Sequence, residues 1–342
     1  MRKCYYLCLL TLIVSCQQEK KIHPFTSVKV ETIYEDSLSI RAIELMGNSL
    51  AFAANKGVFG TVDLNSGIVR TNIQKFHTVI PEFRAVAHTS NDFFMLSVAN
   101  PALLYKTGDG GKMDLVYIEE DDNVFYDAMM FWNDQEGIAI GDSMNGCLSI
   151  IITRDGGNNW RKLPCDELPE GIEGEGAFAA SNTNIEIMGN KTWVATTKSR
   201  IYFSPDKGKT WEIQQTPIVS DVATKGIYSI DFYDENLGFA IGGDYTEPEN
   251  NLANKAITEN GGRTWQLVAE GKEPSYKSCV QFVPNSKGKG IVALGFSGIS
   301  YSNDSGNSWK QLSDASFYTF RFQNDSIAYA AGKDRIAKLK FK

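Results

Sequence analysis

Guanidinium, carboxylate and phenol groups recur at matching places along this chain. Arg41, Arg84 and Asp127 each open an apolar, strand-like segment, and Asp142, Asp244 and Asp334 each close the segment that follows. Tyr126, Tyr228 and Tyr245 stand beside these positions. A pair of guanidinium groups recognises a carboxylate or phosphate through paired hydrogen bonds. The same set could instead serve an exo-acting glycosidase. Arg41, Arg84 and Arg321 would then hold an acidic sugar, with Tyr245 as nucleophile and Asp127 as acid. Against that reading, no Arg-Ile-Pro triplet occurs, and Arg321 stands in a different strand register from Arg41. A third possibility is mutual neutralisation of Arg and Asp along a water-filled channel.

Other chemistries find little support. His23, His77 and His88 lack metal-ligand spacing, and no Cys-x-x-Cys pair suggests zinc. The acidic run Glu119 to Asp122 lacks the regular oxygen-ligand spacing of a calcium loop. Neither a GxGxxG turn nor a phosphate-binding loop follows a strand-like segment. No metal and no cofactor are expected. The net charge of −7 argues against a nucleic-acid partner, which needs a basic surface to displace counterions.

Side chains spaced in this way need a repeating scaffold, and the chain repeats in two registers. The first is Thr153-Arg-Asp155-Gly-Gly157-Asn-Asn-Trp160. It returns as Ser204-Pro-Asp206-Lys-Gly208-Lys-Thr210-Trp211 and as Thr258-Glu-Asn260-Gly-Gly262-Arg-Thr264-Trp265. A fourth copy is Ser302-Asn-Asp304-Ser-Gly306-Asn-Ser308-Trp309, and a decayed one, Thr107-Gly-Asp109-Gly-Gly111, lacks the Trp. The pattern is that of an Asp-box. Its Asp or Asn accepts backbone N–H groups across a tight turn, its Gly supplies a positive φ, and its Trp packs over the hairpin base. The motif is therefore structural.

The second register is an apolar strand, a short polar turn and another apolar strand. It begins at Arg41, Arg84, Asp127, Ala177, Ser229, Ser278 and Thr319, at intervals of 41 to 52 residues. That is the period of a four-stranded propeller blade. The expected fold is all-β, a seven-bladed β-propeller over residues 28–342. After Lys342 no segment remains for a last outer strand. The alternating run Val28 to Tyr34 lacks an inner partner of its own, so it is expected to complete the last blade and close the ring.

The N-terminus reads as an address. Arg2 and Lys3 precede an apolar stretch from Tyr5 to Val14 that is too short to span a bilayer. The stretch ends Ile13-Val14-Ser15-Cys16, which resembles a bacterial lipobox. Residues 1–15 are expected to be a lipoprotein signal peptide, with diacylglycerol on Cys16 and a tether over 16–27. Gln17 after the Cys favours the outer membrane of a two-membrane envelope. Each buried acyl methylene contributes about 0.8 kcal/mol. Export also suits a disulfide: Cys147 and Cys165 flank a predicted hairpin and could face each other, leaving Cys279 free.

The Asp-boxes, the period and the run Glu175-Gly-Ala-Phe-Ala-Ala-Ser181 resemble the photosystem II stability/assembly factor-like propellers. The resemblance covers about residues 28–342. It includes a bacterial lipoprotein branch that often carries an "oxidoreductase" label. It implies a scaffold or assembly factor rather than a catalyst. Sialidases share the hairpin motif, usually on six blades. The expected role is therefore an envelope-anchored monomer that binds a protein or glycan. The alternative is a sialidase-like glycoside hydrolase, not a nicotinamide-dependent oxidoreductase. The long polar loops, such as Pro164 to Gly176 and Gly242 to Asn251, fall on the face opposite the Asp-box turns. Function concentrates on such loops.

Overall fold

In the computed structural model, which describes residues 24–342, seven four-stranded sheets form from antiparallel neighbours. The putting-together is sequential, innermost strand first. Blade 1 holds β2 (Ala42–Met46), β3 (Ser49–Ala53), β4 (Val58–Asp63) and β5 (Val69–Ile73). Blade 2 holds β6 (Phe83–His88), β7 (Phe93–Ser97), β8 (Ala102–Thr107) and β9 (Met113–Glu119). Blade 3 holds β10 (Tyr126–Phe131), β11 (Gly137–Met144), β12 (Cys147–Thr153) and β13 (Arg161–Lys162). Blade 4 holds β14 (Ile185–Met188), β15 (Lys191–Ala195), β16 (Arg200–Ser204) and β17 (Glu212–Gln215). Blade 5 holds β18 (Lys225–Phe232), β19 (Gly238–Asp244), β20 (Lys255–Thr258) and β21 (Gln266–Leu267). Blade 6 holds β22 (Cys279–Phe282), β23 (Ile291–Gly295), β24 (Gly298–Ser302) and β25 (Lys310–Ser313).

Blade 7 combines both ends of the described chain. β26 (Thr319–Phe322), β27 (Ile327–Ala331) and β28 (Lys333–Phe341) are completed by β1 (Val28–Ser39). Val28 pairs with Phe341 and Ser39 with Lys333, so the expected closing strand is present and runs five residues past Tyr34. Residues 1–23, which include Cys16 and the signal-like segment, lie outside the described residues.

The blades taper toward the axis, and the side chains follow. Small residues fill the inner two strands, as at Ala42, Ala51, Ala85, Ala128, Ala240 and Ala330, all fully buried. Large rings such as Phe52, Phe94, Trp193 and Phe239 fill the wider space between blades. Each such ring stabilises the fold by about 1.5–3 kcal/mol.

The repeated turns lock neighbouring blades together. Asp155 Oδ1 accepts the amides of Asn158 and Asn159, and Thr153 Oγ1 accepts that of Gly157. Asp206, Asn260 and Asp304 repeat the arrangement on Thr210, Thr264 and Ser308. The indoles of Trp160, Trp211 and Trp309 donate to the carbonyls of Gly157, Gly208 and Gly306; that of Trp265 is buried without a partner. Gly157 has φ +78°, and a Cβ there would stand 2.3 Å from the Phe94 ring of the preceding blade. Gly306 stands in the same relation to Phe239. Glycine thus serves both the turn and the inter-blade contact. Cys147 and Cys165 form a disulfide.

One inner strand starts later than expected. The fourth repeat, expected to start at Ala177, starts its inner strand at Ile185 instead. Ala177–Asn184 is irregular and almost wholly buried, and it crosses the channel. Ser181 Oγ donates to the carbonyl of Ser278 in blade 6, and Thr319 Oγ1 of blade 7 donates to the carbonyl of Ser181. Asn182 accepts the Met129 amide of blade 3 and donates to the Val86 carbonyl of blade 2. Thr183 bonds Ser229 of blade 5. A polar strand would leave these groups unpaired, whereas the inner strands offer free backbone partners toward the axis.

Candidate binding site

Every inner strand starts at one face of the ring, and the repeated Asp/Asn turns lie at the other. At the first face the leading residues are Arg41, Arg84, Asp127, Tyr228, Ser278 and Tyr318. Arg84, Asp127 and Tyr228 each sit at a register shift of their strand, in β6, β10 and β18. Such bulges insert an unpaired residue and re-aim its side chain. Arg41, Ser278 and Tyr318 reach the same level by preceding their strands.

A cavity of about 520 Å³ opens here. Arg41 and Arg84 line one side. An aromatic ladder lines the other: Phe178 stacks on Tyr228 at 3.7 Å, Tyr228 meets Tyr276 edge-on at 4.9 Å, and Tyr276 stacks on Phe296 at 5.0 Å. Tyr245 stands half exposed at the rim. The crossing segment provides the floor through Ala179 and Ala180.

The two arginines are under-compensated. Arg41 lies 4.2 Å over the Tyr318 ring, forms no ion pair with a described carboxylate, and leaves a buried Nε without an acceptor. Burial, followed by repulsion from Arg84, holds its guanidinium below the usual range. Arg84 has one partner, Glu82, at 2.7 Å. Such an arrangement can accept an anion while rings cover an apolar body.

Asp127 and Asp142 stand behind this wall rather than in it. Asp127 is fully buried, and neither carboxylate oxygen completes a hydrogen bond. Burial, then the neighbouring Asp142, pushes its carboxyl well above the usual range, against the opposing pull of the Ala177 amide and Arg84. Burial likewise pushes Asp142 up to about 6.

The other expected site residues lie elsewhere. Tyr126 is buried between blades and donates to Glu119, because the bulge at Asp127 turns it away from the axis. Asp244 is buried in a turn, accepting the amide and hydroxyl of Thr246. Asp334 is exposed near the start of β28, with φ +64°. Arg321 lies on the far side of the crossing segment, where it pairs with Glu44 at 3.5 Å and donates to the Asn182 carbonyl. The three-arginine arrangement of a sialidase-like site is therefore not assembled. Among the described residues no group of three His, Cys, Asp or Glu side chains could hold a metal ion.

Four contributors escaped the sequence reading: Phe178, Tyr276, Phe296 and Tyr318. Tyr318 had a usable signal, since it precedes β26 as Arg41 precedes β2. A further feature is the distribution of exposed apolar groups. Of the eleven large apolar side chains left exposed among the described residues, seven lie in loops of the cavity face: Val79, Ile80, Ile172, Val222, Tyr245, Leu252 and Phe296.

The fold defines the class: this is a seven-bladed β-propeller. No family model matches the chain, and no curated protein sequence matches it. Solved propellers do. A structure described as YCF48 bound to D1 peptide superposes with a TM-score of 0.64 at 12% identity, covering 93% of this chain and 97% of that one. YCF48 from Cyanidioschyzon merolae gives 0.62 at 13% identity, covering 92% and 98%. The WD40 repeats of RRP9 give 0.66 at 10% identity, covering 93% and 99%. At these identities the likeness is one of fold.

Proposed function

We propose that this chain is an envelope-anchored, non-catalytic propeller that holds a segment of another protein against its loop-rich face. An anionic group of that segment sits between Arg41 and Arg84, and its apolar side chains lie over the aromatic ladder and the exposed rim. The observation that carries this reading is the cavity itself, where two under-compensated arginines face an aromatic ladder, on the face whose loops hold seven of the exposed large apolar side chains. The fold likeness to a propeller described as bound to a peptide agrees with it. So does the path of the chain. Val28 pairs with Phe341 at the turn-bearing end of blade 7, so a tether from a lipidated Cys16 leaves on the face away from the cavity. The cavity would then point away from the membrane, with the propeller acting as a monomer.

Peptides selected on the purified protein from a random library test this. They are expected to share an acidic group flanked by apolar residues, and to lose at least about tenfold in affinity on Arg41→Ala/Arg84→Ala, given that truncating one member of a desolvated charge pair costs about 2–5 kcal/mol. Selected peptides without an acidic group, or equal affinity for the double variant, would contradict the reading. So would hydrolysis of a glycoside that disappears in Asp127→Asn.

A further inference from the structure

The two carboxyl groups behind the cavity have no role in the binding just described, yet they are unusually placed. Asp127 is the bulged residue of β10, and Asp142 is at the facing register shift of β11. Asp127 is inaccessible to water and carries two oxygens without a hydrogen-bond partner. An ionised carboxylate so placed would cost several kcal/mol in desolvation. In the cavity lining, Arg41 carries an orphan of the opposite kind, a buried Nε with no acceptor. The cavity thus has an orphaned cationic donor in its lining and orphaned carboxyl oxygens behind that lining.

The groups that face Asp127 come from three elements: Asp142 from β11, Arg84 from β6, and the Ala177 amide from the crossing segment. Asp142 is also close to the crossing segment; a Cβ on Gly176 would collide with its carboxylate. Arg84 is in turn bonded to Glu82 and repels Arg41. No lysine or histidine faces the pair among these.

We infer that Asp127 and Asp142 act as a proton store that sets the charge of the cavity, so that an anion is bound together with a proton and released when the pair ionises. This rests on the anion-binding reading above and makes the two residues determinants of specificity rather than ligand contacts. With the pair protonated, Arg41 and Arg84 share the single neighbouring carboxylate of Glu82, keep a net positive charge and accept an anion. With the pair ionised, their negative charge cancels the arginine field and repels the ligand. The proton comes from and returns to water, and no bond to the ligand forms. Burial raises both carboxyls, that of Asp142 to about 6.

Sulfate is a suitable probe because its own charge does not change in the neutral range. Its affinity would be read from the arginine Nε–H resonances of the intact protein at constant ionic strength, from about pH 5 to about pH 8. The expected result is a fall of about tenfold or more as pH rises, one power of ten per pH unit being the limit for each linked proton. Asp127→Asn and Asp142→Asn should each flatten the profile and keep sulfate bound at the upper end. Two separate isosteric variants allow for the failure of one to fold. A wild-type affinity that does not change with pH, or variants that keep the wild-type slope, would overturn the proton linkage while leaving anion binding intact. Absence of sulfate binding at every pH would instead sink the anion-binding reading, and this inference with it.

Discussion

Replacing Asn182 with alanine should destabilise the protein far more than a surface change, because this one side chain bridges two blades across the axis. Its Oδ1 accepts the Met129 amide at 3.0 Å and its Nδ2 donates to the Val86 carbonyl at 2.8 Å. Asn182 is buried, so truncation leaves two backbone groups without partners. Each unsatisfied buried group costs about 1–3 kcal/mol. Asn182 also has φ +58°, a left-handed conformation that alanine adopts at a further cost of about 1 kcal/mol. The expected total is about 3–7 kcal/mol, a large part of the usual 5–15 kcal/mol for a domain. Urea unfolding would show it as a lower midpoint at unchanged slope. Asn182→Gly isolates the backbone contribution, since it removes the same hydrogen bonds but relieves φ. It should be less destabilised than Asn182→Ala by about 1 kcal/mol. A loss under about 1 kcal/mol for the alanine variant would refute the bridging role and the closed floor that depends on it.

Three further outcomes follow from buried charge and covalent closure. Glu175 is fully buried at the foot of the crossing segment, where burial pushes its carboxyl up but hydrogen bonds from Arg200, Ile172 and Thr196 outweigh this and hold it below the usual range. Its contribution is therefore present above the unfolded value near 4.3 and lost as pH falls through the folded value. Arg200→Met, which strands the carboxylate, should cost about 3–5 kcal/mol at neutral pH in the same denaturation assay. Asp142 has the opposite sign. Its raised carboxyl makes the native state most stable below about pH 4 and costs stability as pH rises to about 6, so Asp142→Asn should stabilise the protein at pH 7 by about 3 kcal/mol. Cys147→Ser/Cys165→Ser opens a loop with a sequence separation of 18 and should cost about 3 kcal/mol by the chain-entropy estimate; a reductant should shift the wild type, but not the variant, to the same midpoint.

The architecture was open to sequence reading wherever it repeats. The four Ser/Thr-x-Asp/Asn-x-Gly turns are local objects whose hydrogen bonds run within five residues, as from Asp155 to Asn159, so the motif contains its own explanation. The strand from Val28 was readable because a ring needs closure and the last blade lacked an outer strand. The channel was not readable. Ala177–Asn184 has the small apolar residues of an inner strand, but its partners lie in blades 2, 3, 5, 6 and 7, and no local pattern carries that information. The site was half readable. Arg41, Arg84, Tyr228 and Tyr245 do meet at one cavity, because blade periodicity carried them to one level. Tyr126 and Asp127, both expected at the mouth, do not line the cavity, because a bulge at Asp127 re-aims side chains and leaves no mark on the hydrophobic alternation.

The central claim is that the loop-rich face, through Arg41 and Arg84, engages a protein partner. Photo-crosslinking in the native host tests it most directly. A photoreactive residue at Tyr245 on the cavity rim is compared with one at Lys209 in a turn on the opposite face. The account predicts a discrete protein adduct from Tyr245, its loss in Arg41→Ala/Arg84→Ala, and none from Lys209. The same adduct from both positions, or one from Tyr245 that survives loss of both arginines, would contradict it.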